Sequence, residues 1–277
     1  MKFKRILAWG VALIVVLVLA FSIFIGYQVF TSSTNIVARA DTLENEQTMH
    51  PDYTRLIEPL KPELGDLPSF KGDHDIPYLR LDPDLPKGTL IMVHGLGGTK
   101  KINPQVMKIF YDMGYRVLSY DQRNSGENQA DYNTYGCLES LDCLDMIQFA
   151  KGEFPDEPII LWGESNGGAT AILAASQAND WIDVLILDCP LSDGSELIRQ
   201  VFAQIEQDKG IPSSYLNWCG DLFTQLKIGV SYEDMNVLDE ASQLTMPVLI
   251  TSSSIDQVLP VHMSPDIYQA IKHSDKK

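Results

Sequence analysis

The feature that most restricts this chain is a long apolar run near its N-terminus. Ile6 to Phe30 covers 25 residues without a charged side chain, and only Ser22, Tyr27 and Gln28 are polar. About 20 apolar residues in a helix cross the hydrocarbon core of a bilayer. A single segment within lipid must be helical, because no water is present there to bind exposed backbone groups. The sequence therefore predicts that residues 1–30 form a transmembrane anchor.

The charges beside this run predict its orientation. Lys2, Lys4 and Arg5 precede it, whereas no basic residue lies between positions 31 and 38. Because flanking basic residues stay on the cytoplasmic side, we expect a single-pass protein of the cell membrane with its main domain outside the cytoplasm. A cleaved signal peptide is the alternative, but its apolar region is usually about 7–15 residues long. The cleavage-like Ala38-Arg39-Ala40 also lies eight residues past the run.

Charge and cysteine content exclude several classes of partner. The chain has 37 acidic and 21 basic residues, a formal net charge of −16. Such a surface repels phosphate backbones, so we expect no nucleic-acid partner. The four cysteines show neither CxxC spacing nor the spacing to histidine that zinc sites use; they are Cys137, Cys143, Cys189 and Cys219. We expect no metal and no cofactor, and we favour free thiols over disulfides, which an extracellular location would permit.

Beyond residue 74 the chain alternates short apolar runs with amphipathic segments. Each run is bounded by Gly, Pro or Asp, which is typical of buried parallel strands; the runs are Thr89–Val93, Val117–Tyr120, Ile159–Trp162, Val184–Leu187 and Val248–Thr251. Strands that alternate with helices form right-handed crossovers and a mostly parallel sheet covered by helices. We therefore predict an α/β fold for residues 75–277. Residues 31–74, with four prolines and little periodicity, are expected to form a stalk and lead-in.

One turn in this pattern carries candidate chemistry. Gly163-Glu164-Ser165-Asn166-Gly167 follows an apolar run and precedes a segment of small residues that predicts a buried helix. A sharp strand-to-helix turn can hold a serine in strained dihedral angles that expose its hydroxyl. The N-terminus of the next helix supplies the Asn166 N–H and a dipole that favours developing negative charge. Ser165 is therefore the candidate nucleophile.

A glycine-rich segment follows the first apolar run. His94-Gly95-Leu96-Gly97-Gly98 can approach the nucleophile strand closely enough to aim a second backbone N–H at the site that Asn166 faces. Two such donors form an oxyanion hole, each contributing about 3–4 kcal/mol to an acyl-transfer transition state. His94 precedes the glycines at the end of the strand. We therefore expect it to be structural and not the general base.

Three segments, taken in order, resemble the α/β-hydrolase superfamily: HGLGG at 94–98, DQRNSG at 121–126 and GESNGG at 163–168. The similarity runs from about residue 75 to the C-terminus. It is to the serine-hydrolase branch that includes monoacylglycerol-lipase-like and serine-aminopeptidase-like enzymes. The resemblance implies Ser165 as nucleophile, the N–H groups of Leu96 and Asn166 as oxyanion donors, and structural loop roles for Asp121 and Arg123.

The resemblance also predicts where the acid and the base belong. Asp256 lies in DQVLP at 256–260, which is similar to the family's D-x-x-V-P segment. Its role would be to orient an imidazole and stabilise the cation. The family's histidine follows one further strand, and we expect that last strand and histidine to be missing here. Of the five histidines, His273 is the best substitute, although its position indicates the C-terminal end of a helix.

A further segment, residues 190–239, is expected to be a helical cap insertion. It contains two stripes of apolar residues at helical spacing, which either seat the cap on the core or line an acyl pocket; they are Ile198, Val201, Phe202 and Ile205, then Trp218, Leu222, Phe223 and Leu226.

Three functional hypotheses remain open from the sequence. The first is a membrane-anchored serine hydrolase that cleaves an ester, thioester or amide of a small acyl substrate through an acyl-serine intermediate. The second is a truncated or catalytically inactive binding protein of the same fold at the cell surface. The third is an acyltransferase that uses the same nucleophile. The sequence does not predict the oligomeric state.

Overall fold

The computed structural model describes residues 2–277, so that of the predicted anchor only Met1 lies outside the described residues. The helices are α1 (Lys2–Thr34), α2 (Arg39–Leu56), α3 (Pro104–Asp112), α4 (Glu139–Glu153), α5 (Asn166–Gln177), α6 (Gly194–Lys209), α7 (Ser213–Ile228), α8 (Leu238–Ala241) and α9 (Met263–Ala270). The strands are β1 (Glu63–Pro68), β2 (Asp75–Leu81), β3 (Thr89–Val93), β4 (Arg116–Tyr120), β5 (Ile159–Glu164), β6 (Val184–Asp188) and β7 (Val248–Thr251).

These elements form two compact units. One contains the N-terminal residues up to Thr34 together with Ser195–Asp234; the other contains Asn35–Gly194 and Met235–Lys277. We call them the helical unit and the sheet unit. In the helical unit, α1 has 33 residues and is therefore about 50 Å long at 1.5 Å per residue. By length and composition α1 is able to cross a membrane.

The sheet unit is built on seven strands in the order β1-β2-β4-β3-β5-β6-β7. β1 pairs with β2, and β2 with β4, in antiparallel fashion, while the other four neighbouring pairs are parallel. Every residue of β3 and β4 is buried. Burial on both faces explains why these strands are mainly apolar, with Arg116 and Ser119 of β4 as exceptions. The predicted α/β-hydrolase architecture, a mostly parallel sheet flanked by helices, is confirmed.

The segment predicted as an irregular stalk is folded. α2 occupies much of it and contributes Tyr53 and Ile57 to the core of the sheet unit, where they join Leu79, Leu90 and Trp162. β1 then pairs along β2. The predicted division at residue 74 therefore separates elements that belong to one unit.

The last residues also differ from expectation. We expected no strand after α9, but the final three residues run alongside β7 in parallel. The Val248 N–H donates to the Asp275 carbonyl (3.0 Å) and the Lys277 N–H donates to the Val248 carbonyl (2.9 Å). β7 is therefore not bare at the edge of the sheet. The structure has no disulfide between any of the four cysteines, all of which it describes.

Candidate active site

The predicted nucleophile lies in a strained turn between β5 and α5. Ser165 has φ 53° and ψ −120°, a region that side chains other than glycine rarely adopt. Such a conformation costs about 1–3 kcal/mol and persists only where the surroundings enforce it. Here the Ser165 N–H donates to the Asp188 carbonyl (2.9 Å), and the Ser165 carbonyl accepts from the N–H groups of Gly168 and Leu191 (both 3.0 Å). The backbone is thus held on both sides of the serine.

The two glycines of the motif are required by close backbone contacts. A Cβ at Gly163 would lie 2.4 Å from the Gly167 carbonyl oxygen, and a Cβ at Gly167 would lie 2.2 Å from the Val93 carbonyl oxygen. Neither distance is physically possible without a backbone shift. The first turn of α5 is therefore packed directly against the end of β3, from which the glycine-rich segment continues.

That segment reaches the serine as predicted from the sequence. A Cβ at Gly95 would be 3.3 Å from the Ser165 Cβ, and the next residue, Leu96, lines the same cavity as Ser165. Within residues 2–277, neither the Leu96 N–H nor the Asn166 N–H has a hydrogen-bond partner. Asn166 is also the first residue of α5, where the helix dipole favours an anion. Both groups are available to an oxyanion.

The cavity that contains Ser165 has a volume of about 590 Å³. Its walls come from the glycine-rich segment, α2, the turn after β6 and the loop after β7. Apart from glycines, the lining residues are Asn45, Thr48, Leu96, Ile102, Glu164, Ser165, Asp188, Cys189, Asp256, Val258 and Leu259. A larger cavity of about 830 Å³, around His74 and Arg123, includes none of the predicted site residues. We assign the chemistry to the cavity at Ser165.

The predicted acid, Asp256, faces this cavity from the loop after β7. Its Oδ1 accepts the N–H groups of Leu259 (3.0 Å) and Val258 (2.8 Å). These two bonds, that of Leu259 first, lower the pKa of the Asp256 carboxyl below its usual range. Asp256 is therefore ionised at neutral pH, which is the state needed to stabilise an imidazolium.

His94 is structural, as expected. Its ring is buried. Nδ1 donates to the Gly95 carbonyl (2.7 Å), and Nε2 accepts the Gln122 N–H (3.0 Å). Burial lowers the pKa of His94 below its ordinary value. The neutral ring thus has both nitrogens occupied, and it shapes the glycine-rich segment without being free to take a proton.

The other histidines do not supply a base in the structure. His50 contacts Thr54, His74 bridges Asp73 and Asp142, and His262 contacts Asp266. The ring nitrogens of His273 are buried without a partner, and this residue does not line the cavity. Among the described residues, no imidazole is hydrogen-bonded to the Ser165 hydroxyl. The structure brings together Ser165, Leu96, Asn166 and Asp256 but does not bring His273 to them.

Helix α2 contributes a contact that the sequence did not predict. Asn45 lines the cavity and donates from Nδ2 to the Gly97 carbonyl (3.0 Å). One residue later, the Glu46 carboxylate accepts from the Thr99 hydroxyl and the Lys101 ammonium (both 2.8 Å). The glycine-rich segment is therefore clamped from outside the sheet. No apolar periodicity marks α2 in the sequence, so pattern alone gave no signal for it.

Asn103 forms a second clamp on the same loop. It has φ 62°, and its Nδ2 donates to Glu164 Oε2 (2.7 Å), next to the nucleophile. Burial raises the pKa of Glu164. This bond connects the loop that follows the glycine-rich segment to the turn at Ser165.

Asp121 and Arg123 are loop residues that do not line the cavity, as the resemblance implied. Asp121 is fully buried and accepts from the Lys100 N–H (2.7 Å), the Lys100 ammonium (2.7 Å) and the Glu127 N–H (2.9 Å). Arg123 pairs with Asp142. In the part of the chain that the structure describes, no group of His, Cys, Asp and Glu side chains is arranged to hold a metal ion.

Comparisons with known proteins give relatives over most of the chain. The Bacillus subtilis (strain 168) protein YqkD is 27% identical over 231 residues, which cover 83% of this chain and 74% of YqkD. The lysophosphatidylserine lipase ABHD12 of Xenopus tropicalis is 27% identical over 187 residues, 65% of this chain and 45% of the lipase. The chain thus spans less than half the length of that lipase.

The fold and a family profile give the same assignment. The Pyrococcus furiosus esterase Pf2001 superposes with a TM-score of 0.58 at 20% identity, covering 79% of this chain and 80% of the esterase; at this identity the likeness concerns the fold alone. The profile of the alpha/beta hydrolase fold matches residues 88–233, more than half of the chain. This range includes Ser165 and the glycine-rich segment. The chain therefore belongs to the α/β-hydrolase family.

Proposed function

We propose that this protein is a membrane-anchored serine hydrolase that cleaves acyl esters through an acyl-serine intermediate on Ser165. The observation that carries the proposal is the strained Ser165 in its cavity, with the unpartnered backbone N–H groups of Leu96, which lines the same cavity, and of Asn166, the next residue in the chain. Strain of this kind is kept at sites where it exposes a reactive group. The name of one similar protein, a lysophosphatidylserine lipase, supports the same reaction class.

The proposed reaction follows from the positions of these groups. The Ser165 hydroxyl loses its proton to a base and attacks the carbonyl carbon of the substrate, and the resulting oxyanion accepts the N–H groups of Leu96 and Asn166. Each donor of this kind contributes about 3–4 kcal/mol to the transition state. The tetrahedral intermediate then expels the alcohol, which takes up the proton. Water hydrolyses the acyl-serine by the same steps.

The cavity favours an uncharged acyl group. Three carboxylates face it, from Glu164, Asp188 and Asp256, together with the apolar side chains of Leu96 and Leu259 among others. Like charges at short range disfavour an anionic substrate, whereas apolar walls favour hydrocarbon. We propose a neutral, lipid-like ester as the substrate class.

The proposed anchor would hold this chemistry at a membrane. α1 contains the predicted span, and the basic residues at its start favour a cytoplasmic N-terminus. The sheet unit would then lie outside the cytoplasm. Its acidic surface suits a soluble domain that remains off an anionic bilayer.

The direct test is hydrolysis of 4-nitrophenyl acyl esters by the full chain in detergent micelles, with and without added imidazole. Because no described histidine contacts Ser165, we expect imidazole to supply the base and to raise the rate of hydrolysis by roughly 10²-fold, a typical contribution of general-base catalysis. The neutral butanoyl ester should react faster than an ester with a terminal carboxylate. Rates equal to the buffer background under both conditions would contradict the proposal.

The second candidate, an inactive binding protein of the same fold, is favoured by one observation. The Ser165 hydroxyl has no histidine partner among the described residues, and an unassisted serine keeps its proton at neutral pH. In that case a neutral acyl ester should bind to the protein, detectable by calorimetry, and be hydrolysed no faster than by imidazole alone. Hydrolysis that exceeds the rate with imidazole alone and is lost in Ser165→Ala distinguishes the enzyme from the binding protein.

Asn45 is proposed as a positioning residue for the oxyanion loop. Asn45→Ala removes the hydrogen bond to the Gly97 carbonyl and frees the peptide between Gly97 and Gly98, two peptides along the chain from the Leu96 donor. We expect imidazole-supported kcat to fall by about tenfold, less than the 10²–10³-fold loss of a complete donor, while KM changes little. Thr48→Ala is the matched control, because Thr48 lines the cavity but its hydroxyl donates within α2. A change confined to KM, or one of equal size in both variants, would contradict this role.

A further inference from the structure

The predicted anchor and the second long helix of the cap segment are packed backbone to backbone in the helical unit. A Cβ at Gly26 of α1 would lie 2.8 Å from the Cys219 carbonyl oxygen of α7, and a Cβ at Gly220 would lie 2.3 Å from Val29 Cγ1. Small residues at such contacts are how helices associate closely within lipid. The contact therefore has the character of a membrane helix pair.

Polar and aromatic contacts fix the register of the pair. The Ser22 hydroxyl, inside the uncharged run, is hydrogen-bonded to the Tyr215 hydroxyl (2.8 Å). Further along both helices, the Phe223 ring contacts the rings of Tyr27 (6.0 Å) and Phe30 (5.6 Å). α7 thus runs in the same direction as α1, with its first turns beside Ser22.

The register sets the depth of α7. A hydrocarbon core about 30 Å thick takes about 20 helical residues. If the core begins after Arg5, it ends near Ile25, so that Ser22 lies just inside its far boundary. The first turns of α7 are then at the level where hydrocarbon meets the lipid headgroups. This step rests on the proposed anchoring of α1.

One face of α7 is exposed and apolar. It consists of Trp218, Leu222 and Leu226, which are spaced four residues apart and are 54%, 42% and 79% exposed. The ring of Tyr215 stacks beside that of Trp218 at 6.5 Å. Tryptophan and tyrosine are enriched at the boundary between hydrocarbon and headgroups, and a row of exposed apolar residues without a partner indicates an interaction surface.

We propose that Trp218, in the first turns of α7, inserts into the outer leaflet of the bilayer beside α1, with Leu222 at the level of the lipid headgroups, so that the cap segment is held at the membrane by α7 as well as by its link to the anchor. The bilayer is the occupant because α7 packs against the predicted span at Ser22 and Gly26, so that its exposed apolar face begins at the level where that span leaves the hydrocarbon. The chain is strongly acidic, so the contact depends on apolar insertion and needs no anionic lipid.

The test is quenching of tryptophan fluorescence by phosphatidylcholine whose acyl chains carry bromine. The full chain, W9F, W181F and W218F are each reconstituted in vesicles of this lipid and of its unbrominated form. The signal lost in each variant gives the contribution of that tryptophan. Trp9 reports the anchor, and Trp181, which is 43% exposed in the sheet unit, is the matched control.

We expect the Trp9 and Trp218 signals to be quenched several-fold and the Trp181 signal to be unchanged. If the Trp9 signal is quenched and the Trp218 signal is not, the anchor stands and the insertion of α7 is overturned. If neither is quenched, the anchor itself is wrong. Equal quenching of Trp181 would indicate adhesion of the whole protein and would also overturn the proposal. W218F retains an aromatic ring at an exposed position, so it should fold.

Discussion

Replacing Ser165 with alanine is expected to abolish covalent labelling of the full chain by a fluorophosphonate, a probe that reacts with activated serine hydroxyls. The reason is the arrangement at one turn: a hydroxyl exposed by φ 53° and two backbone donors that stabilise the phosphoryl oxygen as they would an oxyanion. Hydrolysis supported by imidazole should fall to background in the same variant. In intact triads, loss of the nucleophile lowers kcat on the order of 10⁶-fold. The measurement is intact-protein mass spectrometry with and without imidazole.

Two further variants separate chemistry from folding. Ser176→Ala removes a hydroxyl on the same helix that donates only to the Leu173 carbonyl, and labelling should be unchanged. Ser165→Gly should also lose the label, but its free energy of unfolding should rise by about 1 kcal/mol, because glycine adopts a positive φ without strain. An adduct that persists in Ser165→Ala would assign the reactive serine elsewhere and would refute the proposed nucleophile.

The buried part of the fold was predictable because burial leaves a direct trace in sequence. β3 and β7 match their predicted ranges, and the other predicted strands differ by one or two residues at their ends. A strand covered on both faces, such as β3, is mainly apolar. The strained turn was predictable for a different reason: the glycines on each side of Ser165 are needed by the turn itself, so the motif is local.

The parts that were missed are held by contacts distant in sequence. α2 has no apolar stripe and contains Pro51, yet it is helical because Tyr53 and Ile57 enter the core and because Thr42, at its N-terminal end, accepts the Gly126 N–H (2.8 Å). Nothing near α2 in the sequence predicts a partner 84 residues away. β1 is an edge strand with a partly exposed pattern, which looks like a loop.

The packing of α1 on α7 was unpredictable for the same reason. Gly26 is one small residue in an apolar run, and Gly220 lies in α7, almost 200 residues later. Neither glycine predicts helix packing from its local sequence, and their role is visible only in the contact between the two helices. The site residues could be predicted from the sequence. Ser165, Leu96, Asn166 and Asp256 follow the ends of strands that a parallel sheet brings to one edge.

Lys100→Met is expected to lower the free energy of unfolding of the sheet unit by several kcal/mol. Lys100 is 2% exposed and its ammonium lies 2.7 Å from the carboxylate of Asp121, which is fully buried. Glu127 contacts the same ammonium from the surface side. Removing one partner of a buried pair leaves the other charge uncompensated, at a cost of about 3–5 kcal/mol. Urea unfolding followed by near-ultraviolet circular dichroism measures this loss.

The stabilisation by the Lys100 ammonium depends on pH. Burial alone lowers the pKa of Lys100, but the carboxylates of Asp121 and Glu127 more than offset it, so that the pKa is raised. A raised lysine pKa contributes stability that is fully present below the unfolded value of about 10.4 and is lost as the pH rises through the folded value. The loss in Lys100→Met should therefore be constant between about pH 6 and pH 9 and decrease only in stronger alkali.

A matched control separates burial from charge. Lys108→Met removes an ammonium that pairs at 2.6 Å with Asp112 four residues along α3, but both side chains are partly exposed to solvent. Pairs of this kind contribute about 0.3–0.5 kcal/mol, so the control should be nearly neutral. Because the Lys100 and Asp121 bonds connect the glycine-rich loop to the end of β4, the destabilised variant should also lose fluorophosphonate labelling before it unfolds globally. Equal stability of the two variants would mean that water or a neighbouring group compensates Asp121, and the buried pair would not hold this loop.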